Sequence, residues 1–183
     1  MRWDELFADL EAQLAAEESA ERRAEVADRS RRETGRIALL DRLIAHLGAE
    51  LIVGAAGGEV VRGRLDDVAT EWLLLDEPPG RTVLVPTASC LWIGGLTRSA
   101  TVSSEHSLAR RVGLVSALRT LATHRVPLQL QLIDGSVLTG TIDRAYADHI
   151  DLAEHQTGEH RRPGAVRAVR AVAHRAIALA RST

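Results

Sequence analysis

One stretch of this sequence occurs twice, and the repeat constrains the fold more than any other feature. The segment that starts Gly58-Glu-Val-Val-Arg-Gly-Arg-Leu aligns with Gly135-Ser-Val-Leu-Thr-Gly-Thr-Ile, 77 positions later. The alignment continues without a gap to Glu77 and Glu154. Self-similarity at a fixed offset indicates an architecture that is assembled from repeated structural units. The sequence therefore predicts two small β modules within one chain.

Alternating apolar residues predict five short strands in each copy of the repeat. In the second copy, for example, Leu128, Leu130 and Leu132 alternate with glutamines. A period of two residues is typical of a strand that buries one face. A glycine inside the second predicted strand, Gly63 or Gly140, indicates a sharp bend or bulge. Five short strands with such a bend predict a small, strongly curved barrel.

Two helical regions are predicted, one before the first copy and one between the copies. The first covers residues 2–47, and its start carries an apolar stripe that includes Trp3, Phe7 and Leu10. This stripe has two interpretations: it packs on the chain's own β module, or it binds a second molecule. Large aromatic side chains at a terminus need a surface that buries them. We therefore name Trp3, Phe7 and Leu10 as candidate partner-binding residues.

The sequence contains no pattern that is typical of an enzyme. Its seven histidines and its single cysteine lack zinc-site spacing. The chain has no nucleophile elbow, no phosphate-binding loop and no dinucleotide fingerprint. A group of acidic and histidine residues between His149 and His160 is interpreted as a solvated loop. We predict no catalytic residue, no metal ligand, no cofactor-binding residue, no cofactor and no small-molecule substrate.

The cysteine content and the apolar pattern predict a cytoplasmic protein. Cys90 is the only cysteine, so an intramolecular disulfide is impossible and a reducing compartment is the default. No stretch approaches the roughly 20 apolar residues that a membrane-spanning helix needs. The first residues are acidic and lack the apolar run of a signal peptide.

The strand pattern of each copy resembles the Sm/LSm family of small SH3-like barrels. The resemblance rests on two patterns. The second strand reads Asp-Gly-x-Val-x-x-Gly-x-Ile from Asp134 to Ile142, and the third strand ends in an apolar-x-Leu pair. The resemblance covers residues 49–96 and 126–180. The resemblance implies that Gly63 and Gly140 lie at the bend of strand two. It also implies a core that contains Leu65, Leu73, Leu75, Ile142, Ile150 and Leu152.

The RNA-binding positions of that family do not carry over to this sequence. The family holds a base with an Asp and an Asn near the turn between strands two and three, and this chain contains no Asn. The Arg-Gly or Lys-Gly pair that precedes strand five in the family is replaced by Pro86-Thr87 and by Ala173-His174. The sequence therefore gives no support for the family's base pocket.

The distribution of charge supplies an alternative function. The net charge is only −2, yet residues 161–183 contain six arginines and no acid. An arginine-bearing face can contact phosphates, so Arg161, Arg162, Arg167 and Arg170 are candidate nucleic-acid-binding residues. The competing interpretation is that these arginines pair with acidic residues of the N-terminal helical segment.

Together these patterns predict an α+β, mainly β fold in four parts. An N-terminal helical segment (1–48) precedes a first five-stranded SH3/Sm-like barrel (49–96), and a helical linker (97–125) joins it to a second barrel (126–183). The predicted function is a non-enzymatic interaction or adaptor module that self-associates through its N-terminal helix or an open strand edge. The expected partner is a protein or a second copy of the chain, with nucleic acid as the alternative and no membrane.

Overall fold

The computed structural model describes residues 19, 21–23, 25–32, 34–101, 112–156 and 166–183. It divides into two units, Met1–Ala38 and Leu39–Thr183. Most described residues of the first unit are helical, and residues 35–38 are not. Asp28 there pairs with Arg32 at 2.7 Å, one helical turn away. Such exposed pairs each add only a few tenths of a kcal/mol.

The second unit carries ten strands and two α-helices among its described residues. In chain order they are α1 (Leu39–Ile44), β1 (Glu50–Ala55), β2 (Val60–Val68), β3 (Trp72–Glu77), β4 (Arg81–Pro86), β5 (Cys90–Gly94), α2 (Leu114–Thr123), β6 (Pro127–Leu132), β7 (Val137–Ala145), β8 (His149–Glu154), β9 (Ala168–Ala173) and β10 (Ile177–Ser182). We call β1–β5 the first half and β6–β10 the second half.

The two halves repeat each other strand by strand. The starts of β1, β2 and β3 lie 77 residues before those of β6, β7 and β8, and β4 and β5 lie 87 residues before β9 and β10. The offset increases because the connection between β8 and β9 is longer. β1 pairs with β2, and β2 with β3, in the same antiparallel registers in which β6 pairs with β7 and β7 with β8. A bulge follows Leu65 in β2 and follows Ile142, its equivalent, in β7.

The repeated glycines allow two backbones to approach closely. A Cβ atom added to Gly140 would overlap the carbonyl oxygen of Ala153 in β8, and one added to Gly63 would overlap that of Asp76 in β3. Both glycines precede the bulge of their strand by two residues. Glycine is therefore required at these positions by the space between neighbouring strands.

The prediction of two separate closed barrels joined by a helix is wrong, although the mainly β character is confirmed. All ten strands form one open antiparallel sheet in the order β5-β1-β2-β3-β4-β10-β6-β7-β8-β9. The halves join because the outer edge of β4 pairs with β10. The alternating pattern shows which side chains of a strand are buried, but it carries no information about which strand occupies its free edge. We call the pairing of β4 with β10 the seam.

Two clusters of buried apolar side chains form the core, and each draws on both halves. Leu65, Leu73 and Leu75 belong to the first cluster, which also includes Leu179 of β10. The second cluster surrounds Ile142 and Ile150 and includes further residues from the first half, namely Ala69, Trp72 and Leu84. The six core positions implied by the Sm/LSm resemblance are all fully buried. Because the clusters interpenetrate across the seam, neither half buries its core alone.

We expect Gly140→Ala to destabilise the protein by about 2 kcal/mol, because the new methyl group must displace the backbone of β8. The measurement is the free energy of unfolding in urea. The matched control is Gly94→Ala in β5, where the nearest atom to an added Cβ is 3.8 Å away. Equal losses in the two variants would contradict the steric explanation.

Candidate interaction site at the sheet edges

The sheet ends in two strands whose outer edges have no strand partner among the described residues. These edge strands are β5 at one end and β9 at the other. An edge strand presents a row of backbone N–H and C=O groups that can pair with another chain, and natural proteins usually protect it. The two edges therefore form the principal candidate site for interaction.

Both edge strands carry exposed apolar side chains. On β5, Leu91 is 68% exposed and Trp92 is 50% exposed, and on β9 Val169 is 59% exposed. Trp92 lies over Gly54 of the neighbouring strand β1, where any side chain would overlap the indole ring. The indole is thereby held against β1 while its other face stays in solvent. Exposed apolar groups that lie on an unpaired edge are typical of an interaction surface.

The end of β5 is fastened to α1 by a buried histidine. His46 Nε2 accepts a hydrogen bond from the backbone N–H of Thr97 at 2.9 Å. Its Nδ1 lies 2.7 Å from the carbonyl oxygen of Arg42, and because Nε2 acts as an acceptor, Nδ1 carries the proton. The Arg42 guanidinium donates to the Thr97 carbonyl at 2.7 Å. These bonds fix the chain as it leaves β5, so this edge is held in place.

One side-chain pair links the other edge strand to β8. Arg170 of β9 donates from Nε to Glu154 of β8 at 2.6 Å. Just beyond β8, the buried His155 shares a 2.7 Å hydrogen bond between Nε2 and the Thr141 hydroxyl. These hydrogen bonds hold β9 and the residues next to it in place.

The seam shows how the same two kinds of edge meet inside one chain. Ala180 of β10 lies opposite Leu84 of β4, and Arg181 lies opposite Val83. By the repeat, β4 is equivalent to β9 and β10 is equivalent to β5. The seam is therefore an internal example of the contact that the two free edges could make with each other.

Side-chain hydrogen bonds reinforce the seam at both of its ends. The backbone N–H of Thr82 donates to the Ser182 hydroxyl at 2.8 Å. The buried Ser89 hydroxyl donates to the carbonyl oxygen of Ile177 at 2.6 Å. A buried hydroxyl that satisfies a backbone carbonyl contributes about 1 kcal/mol.

Arg181 adds an ionic contact across the seam. Its guanidinium Nε lies 3.0 Å from Glu77 Oε2, and Nη2 lies 3.4 Å from Glu59 Oε2. The side chains of Arg181 and Glu77 are 14% and 13% exposed. Little solvent screens this pair, so the loss of either partner leaves a poorly hydrated charge.

A cavity of about 400 Å³ lies beside the seam, between the sheet and α2. Its walls are mainly apolar and include Trp72, Leu84 and Leu121, with Arg181 and Ser182 as polar members. The guanidinium of Arg181 already pairs with Glu59 and Glu77, so its charge is not available to bind an anion in the cavity. The lining is suited to van der Waals contact with an apolar group.

The candidate residues named from sequence are divided by the described ranges. Trp3, Phe7, Leu10, Arg161 and Arg162 lie outside the described residues. Arg167 and Arg170 are both exposed on or beside the β9 edge. The structure thus brings two of the four predicted nucleic-acid-binding arginines to this edge, and Arg170 is paired with an acid there.

The residues at the two edges were not named as a site from the sequence, although an open strand edge was named as one route to self-association. A usable signal was present, because the Leu91-Trp92 pair puts large apolar side chains on both faces of a short predicted strand. The assignment of that strand to an edge depends on the pairing of the halves.

Potential metal ligands and the single thiol are reactive side chains in the described part of the chain. No group of three or more potential metal ligands occurs within the described ranges. Burial raises the pKa of the Cys90 thiol, and a hydrogen bond to the carbonyl of Trp92 offsets this only in part. A nucleophilic cysteine needs a lowered pKa, so this thiol behaves as a small apolar side chain.

Comparison with protein-family models, with curated proteins and with solved structures gives no match. In the described part of the chain, no helix has the length and apolar character that crossing a membrane requires.

We expect Arg181→Met to destabilise the protein by about 2 kcal/mol, because Glu77, which is only 13% exposed, then keeps the half-exposed Arg81 as its ionic partner. The double variant Glu77→Gln with Arg181→Met removes the charge of Glu77 and recovers part of the loss. Unfolding in urea measures both variants, and Arg64→Met, which disrupts an exposed pair with Asp76, serves as the control. An additive double variant would show that the pair does not couple the halves.

Proposed function

We propose that this protein is a non-enzymatic interaction module that self-associates head to tail through its two open sheet edges. In this arrangement β5 of one molecule pairs with β9 of the next. The observation that carries the proposal is the seam, where the equivalent strands β10 and β4 already pair within the chain. The exposed apolar residues on both edges support the same contact.

The repeat also supplies the register of the proposed contact. Ala180 and Arg181 of β10 are equivalent to Ile93 and Gly94 of β5, and Leu84 and Val83 of β4 are equivalent to Ala171 and Arg170 of β9. Transferring the seam register puts Ile93 opposite Ala171 of the next molecule. Gly94 then lies opposite Arg170.

The proposed contact joins two different surfaces, so it is heterologous. Such contacts form a closed ring when the rotation between molecules closes, and they form an open filament when it does not. The sheet would continue from molecule to molecule in either case. An adaptor role follows from this, since repeated copies present the same faces at regular spacing.

Nucleic-acid binding through Arg161, Arg162, Arg167 and Arg170 stays a prediction. Arg170 is engaged with Glu154, and Arg181, another arginine of the C-terminal group, is engaged at the seam. These pairs reduce the positive field that a phosphate backbone would meet. A cytoplasmic location also stays a prediction, based on the single cysteine.

We expect Val169→Lys to weaken self-association at least tenfold, because the lysine brings charge and hydration to an apolar edge. Sedimentation velocity over a range of concentrations measures the change. Val137→Lys is the matched control, since Val137 is similarly exposed at 47% but lies at the start of β7, inside the sheet. A wild-type protein that stays monomeric at all concentrations would refute the proposal.

We expect Ile93→Cys and Ala171→Cys to cross-link between molecules, in a chain that also carries Cys90→Ser. Ala180→Cys with Leu84→Cys is the positive control, because these residues face each other within one chain. Gel electrophoresis under non-reducing conditions distinguishes the two products by mass. If Ile93→Cys cross-links instead with Ala168→Cys, the edges pair in a different register.

A further inference from the structure

The turn between β7 and β8 has the same backbone geometry as the turn between β2 and β3. In the second half, Tyr146 N–H donates to the carbonyl of His149 at 2.9 Å, and in the first half Ala69 N–H donates to that of Trp72 at 2.8 Å. The next residue along each turn also matches. The backbone carbonyl of Asp148 accepts a hydrogen bond from the N–H of His174 at 2.8 Å. The backbone carbonyl of Glu71 likewise accepts one from the N–H of Thr87 at 2.9 Å.

The turn of the first half is covered by the chain that enters α2. The Glu71 carboxylate accepts a hydrogen bond from Leu114 N–H at 2.7 Å. The Trp72 indole donates to the carbonyl of Val112 at 2.9 Å, and only 8% of Trp72 is exposed. This turn is thus a docking surface that is occupied from the other half of the same molecule.

The turn of the second half presents the equivalent surface to solvent. The rings of Tyr146 and His149 stack with their centroids 4.5 Å apart. Tyr146 is 37% exposed, whereas its equivalent Ala69 is 2% exposed. The Asp148 side chain is 87% exposed and lies 2.7 Å from His149 Nδ1. Asp148 beside the His149 ring therefore matches Glu71 beside the Trp72 indole. Among the described residues, no segment covers the second turn as the entry to α2 covers the first.

The two helices are also equivalent, which identifies an occupant for the uncovered turn. Each helix precedes the first strand of its half, and Leu39 and Leu43 of α1 match Leu114 and Leu118 of α2 at an offset of 75 residues, two fewer than the offset of the strands. Leu43 and Leu118 are both buried in the core of their half. α1 packs on β2 as α2 packs on β7. Leu39, the equivalent of Leu114, is 43% exposed.

We propose that the face formed by Tyr146, Asp148 and His149 docks against the start of α1, around Leu39, in the next molecule of the assembly. This inference rests on the proposed head-to-tail association. One rotation and translation superimposes the first half of a molecule on its second half. In the proposed head-to-tail assembly, the same movement superimposes the second half on the first half of the next molecule. It therefore carries α2, which covers Glu71 and Trp72, onto the neighbour's α1, which then covers Asp148 and His149.

The test uses single-cysteine variants, each in a chain that also carries Cys90→Ser. One preparation carries Leu39→Cys and the other Tyr146→Cys, so that a cross-link between them joins two molecules by design. We expect a short bismaleimide reagent to cross-link the mixture into a dimer. Asp134→Cys replaces Tyr146→Cys in the control, because Asp134 lies before the opposite end of β7, roughly 30 Å away along the strand.

A second measurement distinguishes docking from a local structural role. We expect Tyr146→Ser with His149→Ser to weaken association about tenfold in sedimentation experiments. The melting temperature of the dilute protein should stay unchanged, because both side chains lie at the surface. A lowered melting temperature with unchanged association would overturn the inference and assign the stacked rings to local stability.

The outcomes separate this inference from the proposed function. If the molecules associate and the edge cysteines cross-link, but Tyr146→Cys does not react with Leu39→Cys, the docking face is wrong and the edge pairing stands. If the wild-type protein does not associate, both fail. Binding of a single-stranded oligonucleotide that is lost in the double serine variant, without the cross-link, would assign this face to nucleic acid instead.

Discussion

The pairing of β4 with β10 is the contact on which the rest of this structure depends. It converts two sets of five strands into one ten-stranded sheet. Leu84 and Leu179 pack into cores that belong mainly to the other half. Ser89 and Arg181 add a buried hydrogen bond and a weakly screened ion pair. The halves are therefore expected to unfold together, since separation would expose apolar surface on both sides.

The same contact defines the two free edges by leaving β5 and β9 unpaired. An internal repeat that joins head to tail always has one unsatisfied surface of each kind at its ends. The proposed association rests on the fact that the equivalents of these two edges, β10 and β4, meet at the seam. The exposed turn of Tyr146 and His149 follows the same logic, since its equivalent in the first half is covered by the entry to α2.

Much of the local structure could be predicted from the sequence. The repeat and its alternating apolar residues predict ten strands, and the glycines of β2 and β7 mark close approaches between neighbouring backbones. The core positions Leu65 and Ile142 are those that the Sm/LSm resemblance implies. The closure of each half into its own barrel was predicted wrongly. Edge pairing depends on the backbone, and the sequence pattern of β4 is the same whichever strand lies beside it.

The sequence by itself determined the repeated strand pattern, the buried faces of the strands and the bulge positions beside Gly63 and Gly140. These features depend on side-chain period and steric size, which are local properties. Only the tertiary structure decided that β4 pairs with β10, that Leu91, Trp92 and Val169 lie on free edges, and that Glu71 meets α2 while Asp148 remains exposed. Those outcomes depend on contacts between residues far apart in the chain, where equivalent sequences meet different surroundings.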